Sequence, residues 1–331
     1  MVVIGRNEGE RLRACLESLR AVRPLVYVDS GSTDGSRELA AAYADEVIIL
    51  DRATGFSAAR ARNAGIEALQ KRDPGLAFAQ TVDGDCAVDP QWLDRARHDL
   101  SADATVAAVF GRRREKFADR NGFHRAADLE WAVPLGKVAS CGGDAMFRLA
   151  AFRAVGGFNP ALIAGEEPEL CFRLRSAGWT ILSNGAEMTA HDIDMSTLAQ
   201  WWQRSRRTGF AFAELSRLHG PNAEPAWRRL VNSALAWTLI MGFASFILIL
   251  GAIARIPLMV VLGGSLLLLI LVRVAQLAAR KRDGLGGWGP AIAWGGLLMI
   301  AKLAEATGVV EYHLKKQRGT STAIMEYKHS A

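Results

Sequence analysis

The sequence contains little cysteine and no metal-binding cysteine motif. Its 331 residues include four cysteines, and none of them forms a Cys-x-x-Cys pair or lies beside a cluster of histidines. Zinc-binding modules and disulfide frameworks depend on such spacings. We therefore expect neither, and we interpret Cys15, Cys86, Cys141 and Cys171 as reduced, mostly buried thiols of a cytosolic domain.

The sequence also lacks the glycine-rich signature of dinucleotide-binding proteins. No Gly-x-Gly-x-x-Gly follows the first apolar stretch, Met1–Ile4, as it would in a dehydrogenase. The same stretch is too short for the apolar core of a secretory signal peptide, and charged residues follow it at once. We therefore expect neither a dehydrogenase nor a secretory signal here.

Positive charge exceeds negative charge, and the excess is clustered. The formal net charge is +6, and basic residues gather at 112–114, 204–207, 228–229, 280–282 and 315–318. Several of these clusters flank apolar runs, which favours the headgroups of anionic lipids over nucleic acid as their partner. We expect membrane lipids, and no nucleic acid, among the partners of this protein.

Long apolar runs are confined to the last third of the chain. They divide it into a first domain, residues 1–220, and a membrane region, residues 221–331. The runs at 231–253 and 257–272 are long enough to span a bilayer, and a third and weaker run occupies 290–310. The sequence therefore predicts two membrane spans and a third segment that either spans the membrane or is re-entrant or interfacial.

Two charges interrupt the third run. Lys302 and Glu305 are costly at membrane depth unless they pair, and their spacing would place them on one face of a helix. The basic loop at 280–282 predicts that this loop lies on the cytoplasmic side. A cytoplasmic catalytic domain agrees with that orientation.

The first domain alternates strand-like and helix-like segments. Such alternation predicts an α/β fold with a mainly parallel sheet and helices on both of its faces. Ligands of such sheets bind beyond the carboxyl ends of the strands, where the polar loops after Val28 and Val82 would lie. The pattern weakens at 118–140, which we expect to be a connecting segment over the site. Leu198–Leu218 is predicted as an amphipathic helix, either at the membrane interface or packed on its own domain.

Two aspartates follow an apolar strand in Thr81-Val-Asp-Gly-Asp85. Carboxylates at this spacing can bind Mg²⁺ or Mn²⁺ together with the oxygens of a diphosphate. By itself, an Asp-x-Asp sequence is also common in solvated turns. Asp83 and Asp85 therefore need support from other segments before they indicate a metal site.

Two other segments supply that support. Asp29 follows the strand that ends at Val28, where it can accept hydrogen bonds from a base or a ribose, and the glycines after it allow close backbone approach. Arg62 lies near the start of a predicted helix and suits a diphosphate, although a solvated helix face is the alternative.

Together these segments resemble the family 2 glycosyltransferases, which have the GT-A fold. The resemblance covers about residues 1–210 and consists of motifs that occur in the family's order. They are Val-Val-Ile-Gly-Arg-Asn-Glu8, the loop at Asp29, Ala61-Arg-Asn-Ala-Gly65, Asp83-Gly-Asp85, Gly156-Gly-Phe158 and Gly165-Glu-Glu-Pro-Glu-Leu-Cys-Phe-Arg173. The chain departs from the family pattern at Ser30, where a second aspartate is common, and at Glu167, where the family usually has aspartate.

The resemblance implies roles for individual residues. It implies donor binding for Asp29, Arg62, Asn63, Asp83, Arg206 and Arg207, the last two with lipid headgroup contact as the alternative. It implies metal binding for Asp85, Asp83 and His191, with a structural role as the alternative for the histidine. It implies a catalytic base at Glu167, with Glu166 or Glu169 as alternatives, and we add Asp144 as an acceptor-site candidate.

The resemblance further implies an inverting displacement assisted by Mg²⁺ or Mn²⁺. The base would deprotonate an acceptor hydroxyl, which attacks the anomeric carbon of a nucleotide sugar, UDP- or GDP-linked. A lipid-linked oligosaccharide or a surface polysaccharide precursor is the expected acceptor, at a bacterial inner membrane. The alternatives are a polyprenyl-phosphate sugar synthase and a non-catalytic membrane scaffold with a degenerate domain, against which the intact acids argue.

Overall fold

The computed structural model describes residues 1–51 and 55–319. Contacts divide the chain into two compact units. The first consists of Met1–Ala118 and Ala127–Asp194, and the second of Asp119–Ala126 and the described residues from Met195 onward. The helix at 198–218 groups by its contacts with the second unit. The functional domain boundary at residue 220 stays a prediction.

The first unit is built on one nine-stranded sheet. Its strands are β1 (Val2–Gly5), β2 (Val26–Asp29), β3 (Glu46–Ile49), β4 (Phe78–Asp83), β5 (Cys86–Val88), β6 (Val106–Glu115), β7 (Gly136–Val138), β8 (Ala145–Arg148) and β9 (Thr180–His191). The strand order is β3-β2-β1-β4-β8-β6-β9-β5, and β7 pairs with β9. The short apolar runs of β1 and β2 are fully or almost fully buried, as strands covered on both faces must be.

The sheet is parallel in its first half and mixed beyond it. Strands β1 to β4 pair in parallel, as the sequence predicts. Strand β8 pairs antiparallel with both β4 and β6, and β5 and β7 pair antiparallel with β9. The expectation of a mainly parallel sheet therefore holds for the first four strands, whereas beyond them only the pairing of β6 with β9 is parallel among the described residues.

The parallel pairing of β6 with β9 changes register three times. After the last shift, Arg113 lies opposite Thr189 and Glu115 lies opposite His191. Opposed residues of neighbouring strands point to the same face, and residues two apart on a strand share a face. The four side chains therefore reach one side of the sheet together. Such irregularities commonly re-aim side chains next to functional sites.

Seven helices precede β9 in the described part of the chain. They are α1 (Glu10–Ser18), α2 (Ser36–Ala41), α3 (Ala58–Arg72), α4 (Trp92–Ala102), α5 (Gly122–Glu130), α6 (Leu149–Ala154) and α7 (Glu166–Ser176). One of them, α5, is divided between the two units. Helix α3 begins where the Ser57 side chain accepts a hydrogen bond from the Arg60 backbone N–H, 3.2 Å away. It packs closely on the sheet, because a Cβ on Gly65 would lie 2.3 Å from a methyl group of Val2. The segment 118–140, expected to be irregular, contains α5 and β7.

The second unit contains four long helices. Helix α8 (Leu198–Leu218) has the predicted bounds and begins with a capping box formed by Thr197 and Gln200. Helices α9 (Pro225–Ile253), α10 (Pro257–Lys281) and α11 (Trp288–Arg318) are each long and apolar enough to cross a membrane. The two runs predicted as spans lie within α9 and α10, and the weaker third run lies within α11.

Helices α8 and α11 approach each other through glycines. A Cβ on Gly209 would lie 2.0 Å from the backbone oxygen of Glu305, and one on Gly308 would lie 2.0 Å from that of Arg206. Small residues at such contacts let helix backbones come close together. On α11, Lys302 Nζ lies 2.6 Å from Glu305 Oε2, so the predicted pairing of these two charges is confirmed.

Candidate active site

Two of the predicted acids lie at one edge of the sheet in the first unit. Asp29 is the last residue of β2 and Asp83 the last residue of β4. Both strands pair in parallel with β1, so their carboxyl ends meet at the same edge. This is the edge at which open α/β sheets bind their ligands.

Asp29 is fully buried, and only one of its two carboxylate oxygens has hydrogen-bond partners among the described residues. Its Oδ2 accepts hydrogen bonds from the backbone N–H groups of Gly31 and Ser32, both at 2.9 Å, and from Arg37 Nε at 3.1 Å. Its Oδ1 has no hydrogen-bond partner in the described part of the chain. A buried carboxylate oxygen without a partner is costly, so a ligand donor at this position would relieve the cost.

Arg62 links two of the predicted acids. Its Nη2 lies 2.7 Å from Asp83 Oδ1 and its Nη1 lies 2.7 Å from Glu166 Oε1, and the side chain is only 3% exposed. Burial opposes the positive charge, but the two carboxylates outweigh burial and raise the pKa of the guanidinium. Arg62 is therefore a permanent cation that neutralises both acids, and the solvated-face alternative is wrong.

A second arginine, the half-buried Arg113, approaches the same aspartate from β6. Its Nη2 lies 2.8 Å from Asp144 Oδ2 and 3.7 Å from Asp83 Oδ2. Asp144 is fully buried; its Oδ1 accepts a hydrogen bond from the Asp83 backbone N–H at 3.0 Å, and its Oδ2 accepts one from Thr189 Oγ1 at 3.0 Å. Asp144 thus holds the backbone of Asp83 and the Arg113 side chain in place.

Asp85 lies beside His191 rather than beside an arginine. Asp85 Oδ2 is 3.1 Å from His191 Nε2, and both residues are buried. The other ring nitrogen, Nδ1, lies 3.6 Å from Oε2 of Glu115, a buried residue that also accepts a hydrogen bond from the Ile193 backbone N–H. At 3.6 Å this contact between charged or polar groups is too long for a hydrogen bond, and Nδ1 has no hydrogen-bond partner among the described residues.

The glutamates at the start of α7 have different surroundings. Glu169 is 2% exposed and forms a bidentate pair with Arg173, at 2.6 and 2.8 Å. Glu167 is partly exposed, and its Oε1 accepts hydrogen bonds from the Cys141 backbone N–H at 2.6 Å and from Cys171 Sγ at 3.2 Å. Its Oε2 has no hydrogen-bond partner among the described residues.

Comparison with known proteins identifies the family. A model described as glycosyl transferase family group 2 matches residues 82–277, more than half of the chain, and one described as glycosyl transferase family 2 matches residues 1–153. The chain is a family 2 glycosyltransferase. The predicted family and the predicted enzyme class are both confirmed.

Individual relatives agree with this family. The succinoglycan biosynthesis protein ExoA of Rhizobium meliloti is 26% identical over 268 residues, which cover 76% of this glycosyltransferase and 78% of ExoA. The pre-mycofactocin glycosyltransferase of Mycobacterium tuberculosis is 29% identical over 256 residues, 72% of this chain but only 52% of that protein.

A solved structure confirms the GT-A fold. The mannosyltransferase PcManGT from Pyrobaculum calidifontis, in complex with GDP-Man and Mn²⁺, superposes with a TM-score of 0.62. The match covers 95% of this chain and 87% of that chain, at 18% sequence identity.

Three residues predicted to bind the donor, Asn63, Arg206 and Arg207, do not contact Asp29, Asp83 or Arg62 in any hydrogen bond or ion pair described above. The Asn63 side chain makes two hydrogen bonds with the backbone of Phe158, so it holds the turn after Gly156-Gly157 in place. Arg206 and Arg207 lie on α8 in the second unit, where Arg206 Nε is 3.6 Å from Glu311 Oε2.

Arg113 and Glu115 are site residues that the sequence did not reveal. In the sequence Arg113 is one of three consecutive arginines, which we interpreted as a basic cluster for lipid headgroups. Alternation along a strand places its neighbours on the opposite face. The apolar run Val106–Phe110 is enough to predict strand β6. The side of the sheet on which Arg113 lies depends on the register of β6 with β9.

Proposed function

We propose that this glycosyltransferase moves a sugar from a nucleoside diphosphate sugar to a hydroxyl group of a membrane-associated acceptor, by an inverting displacement. The observation that carries the proposal is the joint placement of Asp29 and Asp83 at one sheet edge, with Arg62 connecting Asp83 to the start of α7. Asp29 Oδ1 would accept a hydrogen bond from the base or the ribose. The relatives support a nucleotide-sugar donor, since PcManGT binds GDP-Man.

Asp85 and His191 have the spacing of two ligands of one octahedral divalent cation, for which a carboxylate and an imidazole are both possible ligands. Ligands about 2.1 Å from Mg²⁺ or a similar octahedral ion lie about 3.0 Å apart in neighbouring positions, and these two atoms are 3.1 Å apart. A bound cation would neutralise charge on the departing diphosphate. Asp83 is committed to two arginines, so we assign it to the donor side of the site, with Asp85 as the direct ligand.

Glu167 is the proposed base. Its anchored Oε1 fixes the carboxylate, and its Oε2 is left to receive a proton from the acceptor hydroxyl. Glu166 neutralises buried Arg62, and Glu169 is held by Arg173, so neither is as well placed. Asp144, being fully buried, is better suited to positioning Asp83 than to contact with an acceptor.

The apolar helices support a membrane-associated acceptor. Three helices of the second unit are long enough to cross a membrane, which would keep the enzyme where lipid-linked saccharides are found. We propose a cytoplasmic catalytic domain at the inner membrane, because the basic loop at 280–282 favours that side. A lipid phosphate acceptor would instead make the enzyme a polyprenyl-phosphate sugar synthase, and product analysis separates the two.

The test uses the full chain in detergent. We expect UDP or GDP to raise the melting temperature only with Mn²⁺, since a ligand at a hundredfold its dissociation constant adds about 2.7 kcal/mol to the native state. Asp85→Ala should lose this effect. Glu167→Gln should keep it but lose about a hundredfold or more in transfer rate, while the matched exposed variant Glu187→Gln should lose neither. Full activity of Glu167→Gln would move the base elsewhere.

A further inference from the structure

Two thiols and the proposed base form a compact cluster in the first unit. Cys141 Sγ lies 3.5 Å from Cys171 Sγ, and Cys171 Sγ lies 3.2 Å from Glu167 Oε1. One ligand atom from each of the three residues lies within 4.8 Å of the others. Both cysteines are buried, and Glu167 is partly exposed. We propose that Cys141, Cys171 and Glu167 form a second metal site, which binds a thiophilic divalent cation such as Zn²⁺.

The distances match such a cation. In a tetrahedral zinc site, with Zn–S of about 2.3 Å and Zn–O of about 2.0 Å, two sulfurs lie about 3.8 Å apart and a sulfur and an oxygen about 3.5 Å apart. The observed separations of 3.5 and 3.2 Å are each about 0.3 Å shorter than those of a loaded tetrahedral site. Small side-chain movements would therefore admit the ion.

A disulfide between the same cysteines requires a larger change. The sulfurs would have to close from 3.5 Å to about 2.05 Å. A cation in contact with the sulfurs stabilises the thiolates directly, which an oxidant does not do. The cluster is therefore better suited to metal binding than to oxidation.

Three protein ligands leave the fourth position of the cation for water, as in zinc sites that are not closed. Glu167 can supply this third ligand without losing its anchor, because a carboxylate offers about four lone pairs and the Cys141 backbone N–H uses one of them. The cysteine spacing led us to expect no zinc site, because Cys141 and Cys171 are 30 residues apart and form no Cys-x-x-Cys pair.

Occupancy of this site has a consequence for catalysis that rests on the proposed role of Glu167. A carboxylate that ligates a cation is a weaker proton acceptor than a free one, because the cation withdraws charge from it. Zn²⁺ at the cluster would therefore inhibit transfer. The cluster shares no residue with the group of Asp85, Cys86 and His191, so Zn²⁺ at the cluster would inhibit transfer without displacing a cation held by Asp85 and His191.

Binding is tested with Co²⁺, whose bonds to thiolate give an intense charge-transfer absorption that carboxylate and imidazole ligands do not give. Titration of the full chain should produce this absorption, and Zn²⁺ should abolish it. Cys171→Ser and, independently, Cys141→Ser should lose the absorption. The matched control is Cys15→Ser, a buried thiol outside both groups of candidate metal ligands, and this variant should retain the absorption. Cys86→Ser removes the thiol 3.5 Å from a carboxylate oxygen of Asp85 and should also retain the absorption, because we assign it to Cys141 and Cys171.

Inhibition is measured separately, with saturating Mn²⁺ and added Zn²⁺. The unmodified enzyme should lose at least tenfold in transfer rate and Cys171→Ser less than twofold. No thiolate absorption in the unmodified protein, or absorption that survives Cys171→Ser and disappears in Cys86→Ser, overturns the site. Absorption that depends on Cys171 without any inhibition upholds the site and instead refutes Glu167 as the base.

Discussion

Removal of the Arg62 charge should destabilise the first unit strongly. In the variant Arg62→Met the side chain keeps its approximate length and apolar stem but loses both ion pairs. Asp83 and Glu166 then lack the cation that lies 2.7 Å from each of them. Glu166 has an 11% exposed side chain, so water cannot replace the lost partner effectively.

The exposure of the Arg62, Asp83 and Glu166 side chains determines how much stability the variant should lose. Removal of one partner from a buried ion pair costs about 3–5 kcal/mol. Asp83 is 30% exposed and retains Arg113 at 3.7 Å, which places this case near the lower end. For a unit of this size each kcal/mol lowers the melting temperature by roughly 2–4 °C, so about 3 kcal/mol corresponds to roughly 6–12 °C.

A double-mutant cycle measured by thermal unfolding in detergent tests the reason as well as the size. In the Arg62→Met background, Glu166→Gln removes one of the two carboxylates that have lost their cation. It should therefore restore at least about 1 kcal/mol of the free energy of unfolding. The matched control is Arg114→Met, which breaks an exposed pair with Glu187 and should cost about 1 kcal/mol or less. If the melting temperature falls no further for Arg62→Met than for Arg114→Met, the reasoning is refuted. Additive effects of Arg62→Met and Glu166→Gln on the free energy of unfolding would also refute it.

Two further predictions concern other buried contacts. Asp144→Asn removes the negative charge that faces Arg113 and should lower the free energy of unfolding by about 3 kcal/mol. The exposed variant Glu187→Gln should lower it by about 1 kcal/mol or less. Equal shifts in melting temperature would contradict the buried ion pair. Gly209→Leu forces a side chain against the Glu305 backbone and should cost about 1–3 kcal/mol or more. Gly242→Leu, at a helical glycine whose Cβ would meet nothing within 4 Å, is its control, and it should leave the melting temperature nearly unchanged.

The parts of the fold that the sequence predicted are those with strong local signals. The apolar strands up to Asp83 and the helix at 198–218 follow from periodicity and caps. The sequence pattern predicts a helix from Glu169 to Ala177, but α7 begins at Glu166. The reason is Pro168, which lies in the first turn, where its missing N–H has no helical partner to lose.

The parts that could not be predicted depend on contacts between distant segments. The sequence pattern predicts a strand only over residues 180–182, but β9 continues to His191 through Gly185, which has a φ of 72°. Nothing local in the sequence indicates which of three adjacent arginines faces the site. The acids were found from their motifs, but their partners, Arg113 and Glu115, depend on a register that only the folded sheet defines.

That register makes the site more sensitive to changes in chain length than to many substitutions. Loss of one residue between Arg113 and Glu115 would leave a strand able to form its backbone hydrogen bonds with β9. Because side chains alternate from face to face, the glutamate would then turn away from His191. Single-residue insertions and deletions in β6 or β9 should therefore abolish activity in chains that still fold, and gaps at these strands in an alignment would mark relatives with a different site.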